Sequence, residues 1–208
     1  MMKPERLKLK DIIDGSIAPA LFERVIARIN QGSLFVYPTE TIYGIGGIAT
    51  ERVRERIVEA KRRMPENPMI LIGGNLSLFS DYNLIFNRNA ETLAERFWPG
   101  NVTLILSVSG SNEKMSIRVS DHPFIQMLTE YVTLPLYSTS ANISGTEYSN
   151  DPDVIYSIFS DNIDFMIDDG RLPESLPSTV VDVSDDRGIT VIREGAVSEA
   201  EIKEVITQ

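Results

Sequence analysis

The chain has 208 residues, 42% of them apolar, and carries 30 acidic against 20 basic side chains for a net charge of −10, with no cysteine and one histidine. That is enough apolar material for one ordinary domain, and it excludes a disulfide framework, a thiol nucleophile and a Cys/His metal cluster. The acidic balance opposes a broad phosphate-tracking surface, so weak or no direct RNA binding is expected; the lack of a membrane-length apolar run or a signal-like start predicts a cytoplasmic protein with no membrane partner.

The elements follow from periodicity. In APALFERVIARIN, Leu21, Val25 and Ile29 recur every four residues with Phe22 and Ile26 beside them, which predicts an amphipathic helix over 18–30. LFVYP reads as a strand. ERVRERIVEAKRR places Val53, Ile57 and Ala60 on one face of a helix over 51–63, and NPMILIGG reads as a strand stopped by two glycines. AETLAERFWPG predicts a helix closed by a Pro-Gly turn, VTLILSV a buried strand, MSIRVS a short strand, and HPFIQMLTEYV a helix with proline in its first turn. LPLYST follows as a strand, then the polar loop STSANISGTEYSND, a helix at DVIYSIFS, strands at DFMID, TVVDVS and ITVIRE, and a last helix over 198–206. Helices and strands alternate in places while some strands follow one another directly, so the fold class is α/β with a mixed sheet. No repeat, linker or low-complexity tract divides the chain, so 1–208 reads as a single domain, with DDGRLPESLPS (168–178) its most mobile segment.

Polar clusters stand at the ends of these elements, where sites on α/β sheets collect. After LFVYP come Thr39, Glu40 and Thr41, then Tyr43-Gly44-Ile45-Gly46-Gly47: hydroxyls beside backbone that a ligand can approach. A glycine-rich turn capped by threonines explains the pattern equally well, and the dinucleotide fingerprint is not completed. In KRRMPENP, Lys61 and Arg63 suit a helix C-terminus or a phosphate group. Arg118, between Ile117 and Val119, requires either a strand alternation that turns it outward or an anionic partner; His122 reads as a helix-start residue and not a base. STSANISG, with Ser140 and Asn142, is either a capping loop or a nest of donors for phosphate oxygens. Ser178 heads one strand and Arg193 ends another.

PTETIYGIGG, KRRMPENPMILI, FWPGNVTLIL, IRVSDHP, STSANISG, STVVDVS and ITVIREGAVS, in this order along one chain, resemble the YrdC/TsaC family, the L-threonylcarbamoyladenylate synthases. The resemblance runs from about residue 15 to about residue 200. It implies a twisted mixed sheet flanked by helices around a large concave cleft. It implies an enzyme, a nucleotidyltransferase that joins L-threonine, bicarbonate and ATP into threonylcarbamoyl-AMP with release of pyrophosphate, using Mg2+ with ATP. The product would pass to the tRNA threonylcarbamoyl-transferase complex for tRNA modification. Carried over residue by residue, the K-x-R and S-x-N signature falls on Lys61, Arg63, Ser140 and Asn142 as ATP contacts, with Lys61 and Arg63 catalytic and Arg193 a further ATP contact. Thr39, Thr41, Arg118 and Ser178 resemble the threonine-binding positions, and no residue is assigned to a metal. Three departures stand out: Ile72 replaces a histidine found in many relatives, the family's K-G-R-P becomes KRRM with proline at Pro65, and 208 residues leave no room for the C-terminal domain of longer relatives. Two other functions remain open. A double-stranded RNA-binding or ribosome-maturation module would need a broad basic face, and a carbamoyl-phosphate-handling domain would be expected beside acylphosphatase and zinc-finger segments.

Overall fold

The computed structural model describes residues 3–13, 19–65 and 67–207, so residue 18, the expected start of the first long helix, lies outside it. Eleven strands among these residues form one large twisted mixed sheet. They are β1 (Glu5–Lys8), β2 (Phe35–Tyr37), β3 (Gly44–Ile48), β4 (Ile70–Gly73), β5 (Leu84–Ile85), β6 (Val102–Val108), β7 (Lys114–Val119), β8 (Leu136–Ser140), β9 (Phe165–Asp168), β10 (Thr179–Asp182) and β11 (Thr190–Arg193). The flanking helices are α1 (Leu9–Ile13), α2 (Pro19–Asn30), α3 (Glu51–Lys61), α4 (Arg88–Phe97), α5 (Pro123–Thr129), α6 (Pro152–Phe159) and α7 (Glu199–Thr207). Their starts follow local chemistry. Thr50 caps α3 by accepting from Val53 N–H, Asn87 caps α4 by accepting from Ala90 N–H, and Asp151 caps α6 just before Pro152. None of the described helices is long and apolar enough to cross a membrane.

The strand order is β1-β9-β2-β3-β8-β4-β7-β6-β10-β11, with β5 on β6. β1/β9, β9/β2, β4/β7 and β6/β10 pair in parallel, and the other pairs are antiparallel. One apolar core gathers Phe35, Tyr37, Ile45 and Phe165 under helices that contribute Ile12, Ile29, Ile57, Phe124 and Phe159. The other sets Leu71, Leu104, Ile117 and Val181 against Ala90 and Leu93 of α4 and Ile202 of α7. Strand periodicity then places the site: in β7, Ile117 and Val119 turn to the second core, so Ser116 and Arg118 must turn to the opposite face.

Two expectations change, and one segment that carried no reading gains structure. The opening segment, without a strong apolar period, nevertheless forms β1 and α1, with β1 completing the sheet edge beside β9. GIGGI is a fully buried strand between β2 and β8 and not a turn. Helix α3 ends at Lys61 and not at 63, because Arg62 takes the left-handed conformation (φ 52°) and stops it. The loop 168–178 is tethered: Tyr43 Oη donates to Gly170 O at 2.7 Å, and Asn150 Nδ2 donates to Pro173 O at 2.8 Å.

Candidate active site

The sheet face opposite the second core forms the floor of a cleft of about 320 Å³, at the lower end of the roughly 300–1,000 Å³ usual for small-molecule sites. Register sets that floor, pairing Ser138 with Ile70, Ile70 with Ser116 and Ser116 with Ile105 across β8, β4, β7 and β6. Thr39, Thr41, Arg63, Arg118, Ser140, Ser178 and Arg193, from segments far apart in the chain, all line the same hollow. Its described lining contains three arginines and no carboxylate, in a protein whose net charge is −10.

The hydroxyl side is held by short-range bonds. Thr39 Oγ1 donates to Ile42 O at 2.7 Å and accepts from the N–H groups of Thr41 and Ile42, which folds the turn after β2. Its oxygen lies 3.1 Å from Thr41 Oγ1, and with the Thr39 proton committed to Ile42, Thr41 is the donor of that pair. Arg118, only 5% exposed, reaches Thr41 Oγ1 through Nη1 at 3.4 Å. Ser178 Oγ pairs with Thr103 Oγ1 at 2.9 Å, and Arg193 donates to Ser178 O at 2.7 Å.

On the opposite side, Arg63 donates to Thr139 Oγ1 at 3.1 Å and to Pro68 O at 2.7 Å, while its buried Nε has no partner. Burial depresses the Arg63 guanidinium from its ordinary value; burial, with the charge of Arg118 second, does the same to Arg193. A bound anion would relieve both effects.

Lys61 and Asn142 are placed differently from the sequence expectation. Neither lines the cleft; both lie behind the wall formed by Ser140. Lys61 is 1% exposed, and its Nζ donates to Ser140 O, to Asn142 O at 2.6 Å and to Asn142 Oδ1 at 3.2 Å. The reason is desolvation: buried at the end of α3, the ammonium must replace water with protein oxygens, and the carbonyls of the 140–142 loop are the acceptors at hand. Burial, with Arg63 second, pulls its pKa down to about 7. Ser140 Oγ donates to the same Asn142 Oδ1 at 2.6 Å, and Asn142 Nδ2 donates to Thr146 O, so Lys61, Ser140 and Asn142 form a contiguous unit with Lys61 as its clamp, while Arg63 bonds to Thr139 and Pro68.

The glycines also act otherwise than expected. A Cβ on Gly46 would lie 1.9 Å from Tyr137 O, and one on Gly47 would lie 2.3 Å from Ser33 O. They permit close backbone packing and offer no open surface to a ligand; of the three, only Gly44 lines the cleft. His122 caps α5, its Nδ1 accepting from Phe124 N–H at 3.2 Å.

The family model Sua5_yciO_yrdC, described as "Telomere recombination", matches residues 27–195. The chain belongs to the Sua5/YciO/YrdC family. Among its relatives, the threonylcarbamoyl-AMP synthase of Pyrococcus abyssi is 32% identical over 190 residues, which are 86% of this chain and 55% of that protein. The chain thus spans about half the length of the curated relatives it first matches. The crystal structure of P. abyssi Sua5 complexed with L-threonine superposes with a TM-score of 0.84 at 29% identity, covering 97% of this chain and 60% of that one. The E. coli YciO crystal structure superposes with a TM-score of 0.79 at 26% identity, covering 97% and 99%.

Membership of the Sua5/YciO/YrdC family gives the left-handed Arg62 a simple reading: it stands where the K-G-R-P pattern has glycine, the residue that adopts this conformation without strain. Sequence reasoning assigned no role to Glu40 or Thr103. Glu40 was detectable as a lone acid between two cleft threonines, whereas Thr103, inside an apolar strand, gave no such signal.

Proposed function

We propose that the chain is a threonylcarbamoyl-AMP synthase that condenses L-threonine, bicarbonate and ATP and releases pyrophosphate. The observation that carries this reading is the carboxylate-free cleft in which Arg63, Arg118 and Arg193 stand beside a row of hydroxyls in an acidic protein. Cations gathered in one hollow suit a small polyanion with an amino acid beside it. A double-stranded RNA module would spread its cations over a face.

On this reading Arg118 pairs with the threonine carboxylate through its Nη groups, and Thr41 and Ser178 meet the polar end of the amino acid. Arg63 and Arg193 take phosphate oxygens from opposite sides of the cleft, and the loop clamped by Lys61 presents Ser140. The neutral threonine amine first condenses with bicarbonate, forming the C–N bond as a C–O bond breaks and water leaves. An oxygen of the resulting carbamate then attacks the α-phosphorus, forming the acyl-phosphate bond as the bond to pyrophosphate breaks. The carbamate oxygen is already anionic, so no side chain has to remove its proton. The arginines stabilise charge on the equatorial and leaving oxygens, an effect for which each well-placed donor is worth about 10²–10³ in rate. Holding three reactants together supplies the remainder.

Magnesium enters as part of the nucleotide substrate, Mg-ATP. Among the described residues there is no group of three or more His, Cys, Asp or Glu side chains that could hold a metal ion. The product, a mixed anhydride, is handed to the transferase that modifies tRNA.

Purified protein mixed with threonine, bicarbonate and Mg-ATP should release pyrophosphate only when all three are present. Pyrophosphate release that does not depend on threonine, or salt-sensitive binding of double-stranded RNA without turnover, would overturn the reading.

A further inference from the structure

We propose that Glu40 is a positioning residue for Arg118: its carboxylate holds the guanidinium by the Nε edge and so leaves the two Nη groups to face the cleft and receive a ligand carboxylate. This inference rests on the reading of Arg118 as the threonine anchor.

In the turn after β2, Thr39 and Thr41 line the cleft and Glu40 does not. Glu40 meets Arg118 outside that lining, with Oε1 3.6 Å from Nε. Both atoms are buried, and neither has a hydrogen-bond partner. A buried acceptor and a buried donor left without partners are each costly, and here each is the group the other lacks. The distance is that of an ion pair one small rotation short of a hydrogen bond.

The carboxylate is itself fixed. Ser120 Oγ donates to Glu40 Oε2 at 2.6 Å and accepts from His122 N–H at 3.2 Å, and Ser120 N–H donates to Gly73 O at 2.9 Å. The turn between β7 and α5 thus sets the position of Glu40 from outside the cleft. Arg118 has less to hold it on the cleft side, where its contact is the long one from Nη1 to Thr41. It also shares the hollow with Arg63 and Arg193, which repel it. Glu40 is the one carboxylate paired with Arg118 among the described residues, and without it the guanidinium would drift from that repulsion. The residue acts on the ligand through Arg118 and does not itself line the cleft.

The test is to measure binding of L-threonine and of ATP separately by calorimetry in the wild type, Glu40→Gln, Glu40→Ala and Ser120→Ala. Arginine Nε–H magnetic resonance spectra are recorded alongside, with the Arg118 signal assigned by its loss in Arg118→Lys. The expected result is a protected Arg118 Nε–H signal in the wild type that disappears in both Glu40 variants. Their threonine dissociation constant rises about tenfold, while that for ATP stays within about twofold. Ser120→Ala, which leaves the charge in place, weakens threonine binding less and serves if the Glu40 variants do not fold. A Glu40→Gln protein that binds threonine as tightly as the wild type or more tightly would overturn the proposal, because Glu40 would then merely oppose the anion. Equal loss of threonine and ATP binding would also overturn it, since the residue would then be a general scaffold. Should the wild type bind no threonine, the functional reading fails on its own; the Arg118 signal still decides the pairing, which stands if Glu40→Gln abolishes it and falls if it does not.

Discussion

Replacing Lys61 with methionine tests the buried ammonium most directly. Its folded pKa of about 7 lies below the ordinary lysine value of 10.5. The unfolded chain therefore keeps a proton that the folded chain has released, and stability rises with pH across this window; the contribution is full above the unfolded value and is lost as pH falls through the folded one. From pH 7.5 to 9.5 the linkage amounts to about 2–3 kcal/mol. Three oxygens oppose the shift, because acceptors at Ser140 O, Asn142 O and Asn142 Oδ1 favour the charged form. The assay is urea unfolding of wild type and Lys61→Met at both pH values, with the slope against urea checked for constancy. The wild type should gain about 2–3 kcal/mol more than the variant over the two pH units. Parallel behaviour would refute the argument and would mean that the three oxygens keep Lys61 charged throughout.

Further substitutions probe the frame and the cleft. Gly46→Ala should lose about 3 kcal/mol or more in urea unfolding, since its Cβ would sit 1.9 Å from Tyr137 O in the middle of the sheet; a loss under about 1 kcal/mol would mean that the strands separate easily. Arg62→Gly should raise stability by about 0.5–1 kcal/mol, because the strain of a left-handed arginine exceeds the entropy cost of glycine, and an unchanged urea midpoint would contradict this. Arg63→Ala and Arg193→Ala should each raise the ATP dissociation constant about tenfold or more, with a smaller effect on threonine, as read by calorimetry. Arg118→Ala should show the opposite preference, raising the threonine KM about tenfold to a hundredfold in the pyrophosphate assay; an unchanged KM would remove Arg118 from the amino acid.

The sequence by itself determined the elements whose pattern is carried by near neighbours. The period of Leu21, Val25 and Ile29, the alternation of Ile117, Arg118 and Val119, and the Pro-flanked start of α5 are local signals, and the structure realises each of them. The ordered motifs were also legible, because residue identity and order survive without coordinates. What only the tertiary structure decided was where a side chain finds its partner. The GIGG run reads locally as either a turn or backbone open to a ligand, and becomes a central strand paired with β2 and β8, where the backbones of Tyr137 and Ser33 approach too closely for any Cβ. Lys61 reads as either a helix C-terminal charge or a phosphate ligand and becomes the clamp of a loop some 80 residues later, because burial compels its side-chain nitrogen to take carbonyls in place of water. Glu40 has no periodicity to announce it; its relation to Arg118 exists only once β7 and the turn after β2 meet. Local patterns select elements through sterics and hydrophobic spacing, whereas the pairing of buried charges depends on which distant segments share a region from which water has been removed.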